Sequence, residues 1–409
     1  MKIRQGNFYW NRKDNIKYSY EYLKEDKICD VLIIGGGIGG AITAYFQAKQ
    51  GYKVILVEKN LIGYGSTLEN PGILSYLESV DLNKKVSKNL SENNLRRSDE
   101  LSKQAIDNIH RIVKEINEFN KEHQEKILLN RQDLLYFSDK LTNKMQVYKE
   151  YTNLKDRQEV EYIEENGVLN MKTGVLVKHA AVTFNPYLFV QELIHMLSKM
   201  SNVEIYENTE IDNITNNDEY VQSLCKNRQI IYSKKVILCT GYGVLKNVKE
   251  LPVSLMKSFS VVTEPIKNVN LDGIDFVAKD ITNPSNYIRF TKNKEIIVGG
   301  NTLKVTEKVL TERNMTQLID GRYKKIFNSL IRLFPNEEKI RVKSCYWGMY
   351  LETKDGLPII DELEDLPNVY VNIGSGLNGI VHSTIGANML RDICKEYHTK
   401  DMIMYKINR

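Results

Sequence analysis

The chain has 409 residues, more than one compact domain usually needs, so two domains are expected. With 42% hydrophobic and 27% charged residues it is composed like a globular protein, able to enclose a sizeable cofactor without disulfide or metal staples. Fifty-seven Lys and Arg against 52 Asp and Glu leave only +5, with no basic stripe among aromatics, which argues against a nucleic-acid partner; a mildly positive field would favour an anionic substrate.

Residues 1–27 read as an irregular leader, charged and aromatic, without the apolar centre of a signal peptide. Phe8, Tyr9 and Trp10 are placed to pin it to the body. Val31-Leu32-Ile33-Ile34 is a short apolar run that meets a glycine turn, which predicts a buried parallel strand. A helix follows over Ile38–Lys49, Gly51 stops it, and Lys53–Val57 is a second strand, making a βαβ unit. Apolar residues at 101, 105, 109, 112, 116 and 119 predict an amphipathic helix from Leu101. Asn185-Pro186 begins another, with Asn as N-cap, Pro at the first helical position, and Val190, Leu193, Ile194 and Leu197 facing inward. Strands are expected at 203–206, 229–232 and 235–239.

From about 255 to 345, short β-branched and aromatic runs (Phe259–Thr263, Tyr287–Phe290, Glu295–Val298) alternate with turn residues, as in an antiparallel sheet. A helix over Met315–Phe334 interrupts it. A strand at Val369–Ile373, a glycine-rich turn and a helix from Val381 to about Tyr397 complete the chain. The two kinds of segment interleave, so an α/β chain with discontinuous domains is expected. A dinucleotide-binding domain would comprise 28–80, 165–254 and 346–409. A substrate domain would comprise 81–164, mostly helical, and 255–345.

Five scattered cysteines without a Cys-x-x-Cys pair point to a reducing compartment, and a cytoplasmic location is the simplest expectation. Six histidines show no metal-ligand spacing, so no metal site is expected. No apolar run approaches the roughly 20 residues that span a bilayer.

The central motif is Gly35-Gly36-Gly37-Ile38-Gly39-Gly40, which holds Gly-x-Gly-x-x-Gly at 35, 37 and 40 between a strand and a helix. Gly35 permits the tight turn, Gly37 lets a pyrophosphate approach the backbone, and Gly40 lets helix and strand pack closely. Amides at the helix start, among them those of Ile38 and Gly39, face the phosphates. Glu58, 18 residues past Gly40 and followed by Lys59, can accept from both hydroxyls of an adenosine ribose and would repel a 2′-phosphate. The motif specifies a dinucleotide without saying which, and an NAD-linked dehydrogenase stays open here. Gly65-Ser66-Thr67 with Asn70, Gly72 and Ile73 offers small and hydroxylated contacts to a pyrophosphate or a flavin edge. Gly374, Gly376, Leu377, Asn378, Gly379 and Ile380 form a second glycine turn into a helix, suited to flavin pyrimidine oxygens.

Taken together these pieces resemble the FAD-dependent D-amino-acid oxidase family, with its glycine oxidase and sarcosine oxidase relatives, and within it a bacterial branch of FAD-dependent oxidoreductases of unassigned substrate. The resemblance runs from about residue 28 to the end. Its strongest parts are the fingerprint with Glu58, Gly65-Ser66-Thr67, Cys239-Thr240-Gly241, and Thr353-Lys354-Asp355-Gly356-Leu357-Pro358. It implies a Rossmann-like FAD domain of the glutathione-reductase type and an interleaved α+β substrate domain whose antiparallel sheet covers the flavin. FAD would lie extended, with adenosine near Glu58 and Ile211, Thr240 and Gly241 along its length, and its ring near Gly72-Ile73 and the 374–380 turn. The implied reaction is oxidation of a C–N or C–O bond α to a carboxylate, with hydride transfer to flavin N5.

Departures from the family pattern shape the remaining expectations. Tyr350 stands where amino-acid oxidases often place an arginine before the Asp-Gly-x-Pro segment. Arg289 is then the candidate clamp for a substrate carboxylate, on the same strand face as Tyr287. Arg289, Tyr287 and Tyr350 are the candidate catalytic residues. Gly348 stands where sarcosine-oxidase relatives carry their flavin-linked cysteine, so FAD is expected to be non-covalent. Ile296–Gly300 lacks the lysine that helps those relatives use oxygen, so the electron acceptor is O2 or a carrier. His382 is read as a capping or packing histidine. The leading expectation is oxidation of a small amine or amino acid. The alternatives are an α-hydroxy acid or glycerol-phosphate-type dehydrogenase, and a flavin-binding redox sensor without turnover.

Overall fold

The computed structural model describes residues 7–10, 17–77, 91–121, 126–217, 219–243, 251–267, 274–283, 286–306, 312–335, 340–395 and 399–409. Two sheets carry the architecture. The first has eight strands with Lys27–Ile34 at its centre, paired in parallel with Val54–Val57 on one side and Ile230–Leu238 on the other. Val203–Tyr206 extends it beyond Val54–Val57, and Leu366–Ile373 extends it beyond Ile230–Leu238, both in parallel. Val31, Leu32 and Ile33 are fully buried because helices pack one face and a second apolar layer covers the other.

The helix Ile38–Lys49 has the predicted bounds, and Pro186–Ser198 starts at Asn185, whose side chain accepts from the Leu188 N–H at 3.0 Å. Other elements differ. The strands expected at 229–232 and 235–239 are one strand, Ile230–Leu238, because Ser233 stays in register with Cys29 and is itself buried. The helix expected from Leu101 begins at Glu92, capped by Ser91. The last helix ends at Met389 and tightens into a 3-10 turn over Leu390–Lys395; the Gln47 amide takes the Leu390 carbonyl at 2.7 Å. Tyr397 lies outside the described residues.

The second sheet has nine strands, with Val253–Thr263 between Val342–Thr353 and Ile296–Lys304, followed by Tyr287–Phe290, Phe276–Asp280, Asn130–Ser138, Thr173–Thr183 and Ile73–Ser75. Its membership departs from the expected division of the chain. Thr173–Thr183, expected with the dinucleotide-binding segments, pairs antiparallel with Asn130–Ser138 through Leu134↔Val177 and Leu135↔Leu176. Val342–Thr353 stays in this sheet past residue 346. The 81–164 segment, expected to be mostly helical, contributes two of the strands, Asn130–Ser138 and Val160–Ile163.

The leader is fixed where it is described. Trp10 Nε1 donates to the Asn70 carbonyl at 2.7 Å, Tyr9 donates to Glu295 at 3.2 Å, and Phe8 meets Tyr346 edge-on.

Candidate active site

The glycine turn lies at the C-terminal ends of two adjacent parallel strands, Lys27–Ile34 and Ile230–Leu238; ligands of open parallel sheets bind outside such ends. Gly35 has φ +115°, and a Cβ there would sit 2.4 Å from the Cys239 carbonyl oxygen. A Cβ on Gly40 would sit 1.8 Å from the Gly35 carbonyl oxygen, so helix and strand touch through it. Gly37 differs: its would-be Cβ meets only Thr67 Oγ1, at 3.3 Å. The same hydroxyl accepts from the Ile38 N–H at 2.9 Å. Helix starts leave N–H groups without intrahelical partners; Thr67 takes that of Ile38, and Gly37 and Gly39 line a cleft. Glu58 is held at its rim by the N–H groups of Gly36 and Asn60, at 2.8 and 2.9 Å.

The cleft consists of three adjoining cavities. The central one, about 180 Å³, runs past Gly35, Gly37 and Ser66 to Thr240, Gly374 and Ile380. A second, also about 180 Å³, shares Glu58, Lys59 and Thr240 with it and reaches Ile211. A third, about 110 Å³, shares Ser66, Asn70, Tyr350 and Gly376 with it and lies against the second sheet. Every expected cofactor residue lines one of these except Gly40 and Gly72, which pack behind the walls. A channel open at Gly37, with a carboxylate fixed at one end and a cavity under a sheet at the other, fits an extended adenine dinucleotide.

The third cavity joins some expected catalytic residues and excludes another. Tyr287 and Tyr350 line it. Tyr287 Oη meets Ser260 Oγ at 2.9 Å, and burial lifts its phenol to about 12, so it stays protonated. Burial raises Tyr350 as well. Arg289 does not line this cavity, which corrects the expected orientation. Its guanidinium donates to the carbonyls of Pro71, Gly72 and Phe184 and lies under Trp10, so the Asn70–Ile73 loop stands between it and the cavity.

Three charged residues were not anticipated. Lys279 lines the cavity opposite Tyr287, its partner in the antiparallel register. The Asn283-Pro284 turn signal midway between them was a sequence clue to that pairing. Glu69, buried at the end of a four-residue helix, lines it too and accepts from the Met349 N–H at 3.1 Å. Lys257 is buried beside the cavity wall, its ammonium 3.6 Å from the Trp347 ring centre, and burial lowers its pKa. No local pattern marks Glu69 or Lys257, because Val342–Thr353, distant from both in sequence, buries them. Glu69 also bears on flavin attachment: a Cβ at Gly348 would lie 2.6 Å from its carboxylate oxygen, so the position that carries a cysteine in sarcosine-oxidase relatives has no room for one. His382 is a buried helix residue whose Nδ1 lies 2.8 Å from the Ser375 carbonyl. Asn378 donates to the Ser75 carbonyl at 2.7 Å, tying the second glycine turn to the second sheet.

Among the described residues no group of His, Cys, Asp and Glu is placed to hold a metal ion, and no helix is long and apolar enough to cross a membrane.

Comparison with known proteins agrees with this geometry. The chain is 24% identical over 396 residues to a Bacillus subtilis (strain 168) protein named for a Rieske 2Fe-2S centre, covering 95% of this chain and 72% of that one. It is 20% identical to the gamma-glutamylputrescine oxidoreductase of Escherichia coli (strain K12), covering 93% and 87%. The fold matches glycine oxidase from Geobacillus kaustophilus with a TM-score of 0.75 at 18% identity, over 94% of this chain and 99% of that one. L-proline dehydrogenase from P. horikoshii gives 0.72 at 16%, over 95% and 98%. The family model described as DAO, FAD dependent oxidoreductase, matches residues 30–393. The chain is a member of the DAO family of FAD-dependent oxidoreductases.

Proposed function

We propose that this enzyme oxidises a small amine or amino acid that bears a carboxylate, at the C–N bond, with non-covalent FAD as the acceptor. The observation that carries this reading is the third cavity, continuous with the dinucleotide cleft and lined by Lys279, the Glu69 carboxylate and two neutral phenols. The oxidoreductase and dehydrogenase described above are named for amine substrates, which supports the same class. Bound FAD would supply the two-electron acceptor, taking hydride at N5.

The chain's own residues would hold the substrate. Lys279 replaces Arg289 as the group for the carboxylate, and Tyr287 and Tyr350, protonated at neutral pH, add hydroxyl donors. The small volume beneath the sheet, about 110 Å³, would limit the substrate to few orientations. The backbone at Gly37 and Gly39 would hold the pyrophosphate, with Gly35 and Ile38 shaping the turn, Glu58 the adenosine ribose, and the 374–380 turn the flavin pyrimidine.

Anaerobic mixing with amino acids, N-methylated amino acids, polyamines and α-hydroxy acids tests this. Bleaching of the flavin by an amine is expected. Bleaching by hydroxy acids alone would move the substrate class, and bleaching by none would leave a redox-sensing role. Lys279→Met is expected to raise KM for a carboxylate-bearing substrate about 10- to 100-fold, from loss of a charged hydrogen bond worth ~1.5–3 kcal/mol, with flavin content unchanged. An unchanged KM would remove Lys279 from the site. The acceptor is O2 or a carrier: Ile296, Ile297 and Val298 offer only apolar side chains where a lysine would assist oxygen. The Rieske name of the Bacillus relative supports a carrier. Oxygen consumption against dye reduction decides between them.

A further inference from the structure

We propose that a separate cavity, on the far side of the Asn70–Ile73 loop from the flavin-side cavity, is a binding site for a small oxyanion. It is larger than any part of the cleft, about 550 Å³, and is lined by Arg289, Lys126, Lys292 and Lys294, with Asp275 the one carboxylate in its wall among the described residues. It shares no lining residue with the flavin-side cavity.

Arg289 is the built element. It is 7% exposed, its Nη1 is occupied by three backbone carbonyls, and its Nε has no hydrogen-bond partner. Its neighbours among the ionisable groups of the described residues are the phenols of Tyr9, Tyr287 and Tyr346, which burial keeps neutral, with no Asp or Glu among them, and burial lowers its pKa to about 10. A buried guanidinium without a counter-charge is costly. An anion in the cavity would supply that charge, and the planar fork suits a carboxylate or a phosphate equally.

The site would also be coupled to the active site. Arg289 holds the carbonyls of Pro71 and Gly72, and Trp10, stacked 5.0 Å from the guanidinium, donates to the carbonyl of Asn70. The other side of this loop, at Asn70, Pro71 and Ile73, is the wall of the flavin-side cavity. An anion that orders Arg289 therefore orders that wall, and the coupling is reciprocal.

The test is calorimetric titration of the flavin-loaded protein with sodium succinate and, separately, inorganic phosphate, at constant ionic strength. Saturable one-site binding of at least one probe is expected, and the one that binds identifies the chemistry. Binding should weaken at least tenfold in Lys292→Ala/Lys294→Asn, with flavin content and spectrum unchanged. Asn is chosen at 294 because that residue has φ +60°. Binding should persist in Lys279→Met. No saturable binding of either probe, or binding that survives the double variant, overturns the proposal, as does binding lost only in Lys279→Met. None of these readouts depends on turnover, so this site and the proposed reaction can fail independently.

Discussion

Gly37→Val is expected to give a folded protein that purifies colourless. The would-be Cβ at Gly37 meets only Thr67 Oγ1, so the branched side chain projects into the cleft where a pyrophosphate must approach the backbone. Losing one or two charge-assisted hydrogen bonds at ~1.5–3 kcal/mol each weakens cofactor binding about 10- to 10,000-fold, before any steric cost. Gly40→Val is expected to behave differently, because its Cβ would collide with the Gly35 carbonyl and force helix and strand apart. The measurement is the flavin-to-protein ratio after acid release, beside the circular dichroism of each variant. A yellow Gly37→Val protein with the parent ratio would show that the cofactor phosphates are held elsewhere.

Asp355→Ala is expected to lower stability by about 3 kcal/mol, the low end for breaking a buried, hydrogen-bonded ion pair. Asp355 and Arg409 form a bidentate pair at 2.7 and 2.8 Å, with side chains 10% and 13% exposed. Asp355 also accepts from the Thr353 hydroxyl and the Leu357 N–H, and Arg409 donates to the Leu357 carbonyl. The turn so fixed supports the cleft: Thr353 packs 3.2 Å from the would-be Cβ of Gly374, whose turn forms the cleft wall. Flavin loss should therefore accompany the loss of stability. Burial by itself would raise the Asp355 carboxyl, but the Arg409 guanidinium and the hydrogen bonds to Thr353 and Leu357 hold it below the ordinary carboxylate range. A depressed carboxyl contributes stability that is fully present above its unfolded pKa, ~3.9, and is lost as pH falls through the folded value. Urea denaturation of parent and variant should thus converge below about pH 4. If Arg409→Ala and the double variant lose as much as Asp355→Ala, the pair acts as a unit; additive losses would contradict the pairing.

Much of this protein could be read locally. The Val31–Ile34 run, the glycine spacing that follows, Glu58, and the Asn185-Pro186 start each draw their structure from neighbours a few residues away. The antiparallel character of 255–345 was legible for the same reason, since β-branched runs between turns choose a strand without reference to a partner. Which strand pairs with which was not legible. Thr173–Thr183 joined the second sheet because Asn130–Ser138 offered it an apolar register, a match no local pattern states.

The candidate site divides the same way. The backbone features of a dinucleotide cleft are properties of a turn and a helix start, so the sequence by itself determined them. The direction of Arg289 was decided only when the Pro71–Gly72 backbone, 217 residues away, came within reach of its guanidinium. Glu69 and Lys257 acquired their burial from Val342–Thr353 closing over them, and Lys279 its place in the cavity from the hairpin that sets it beside Tyr287. Charge placement under a sheet depends on register between distant strands, and register is fixed by the packed whole rather than by any segment.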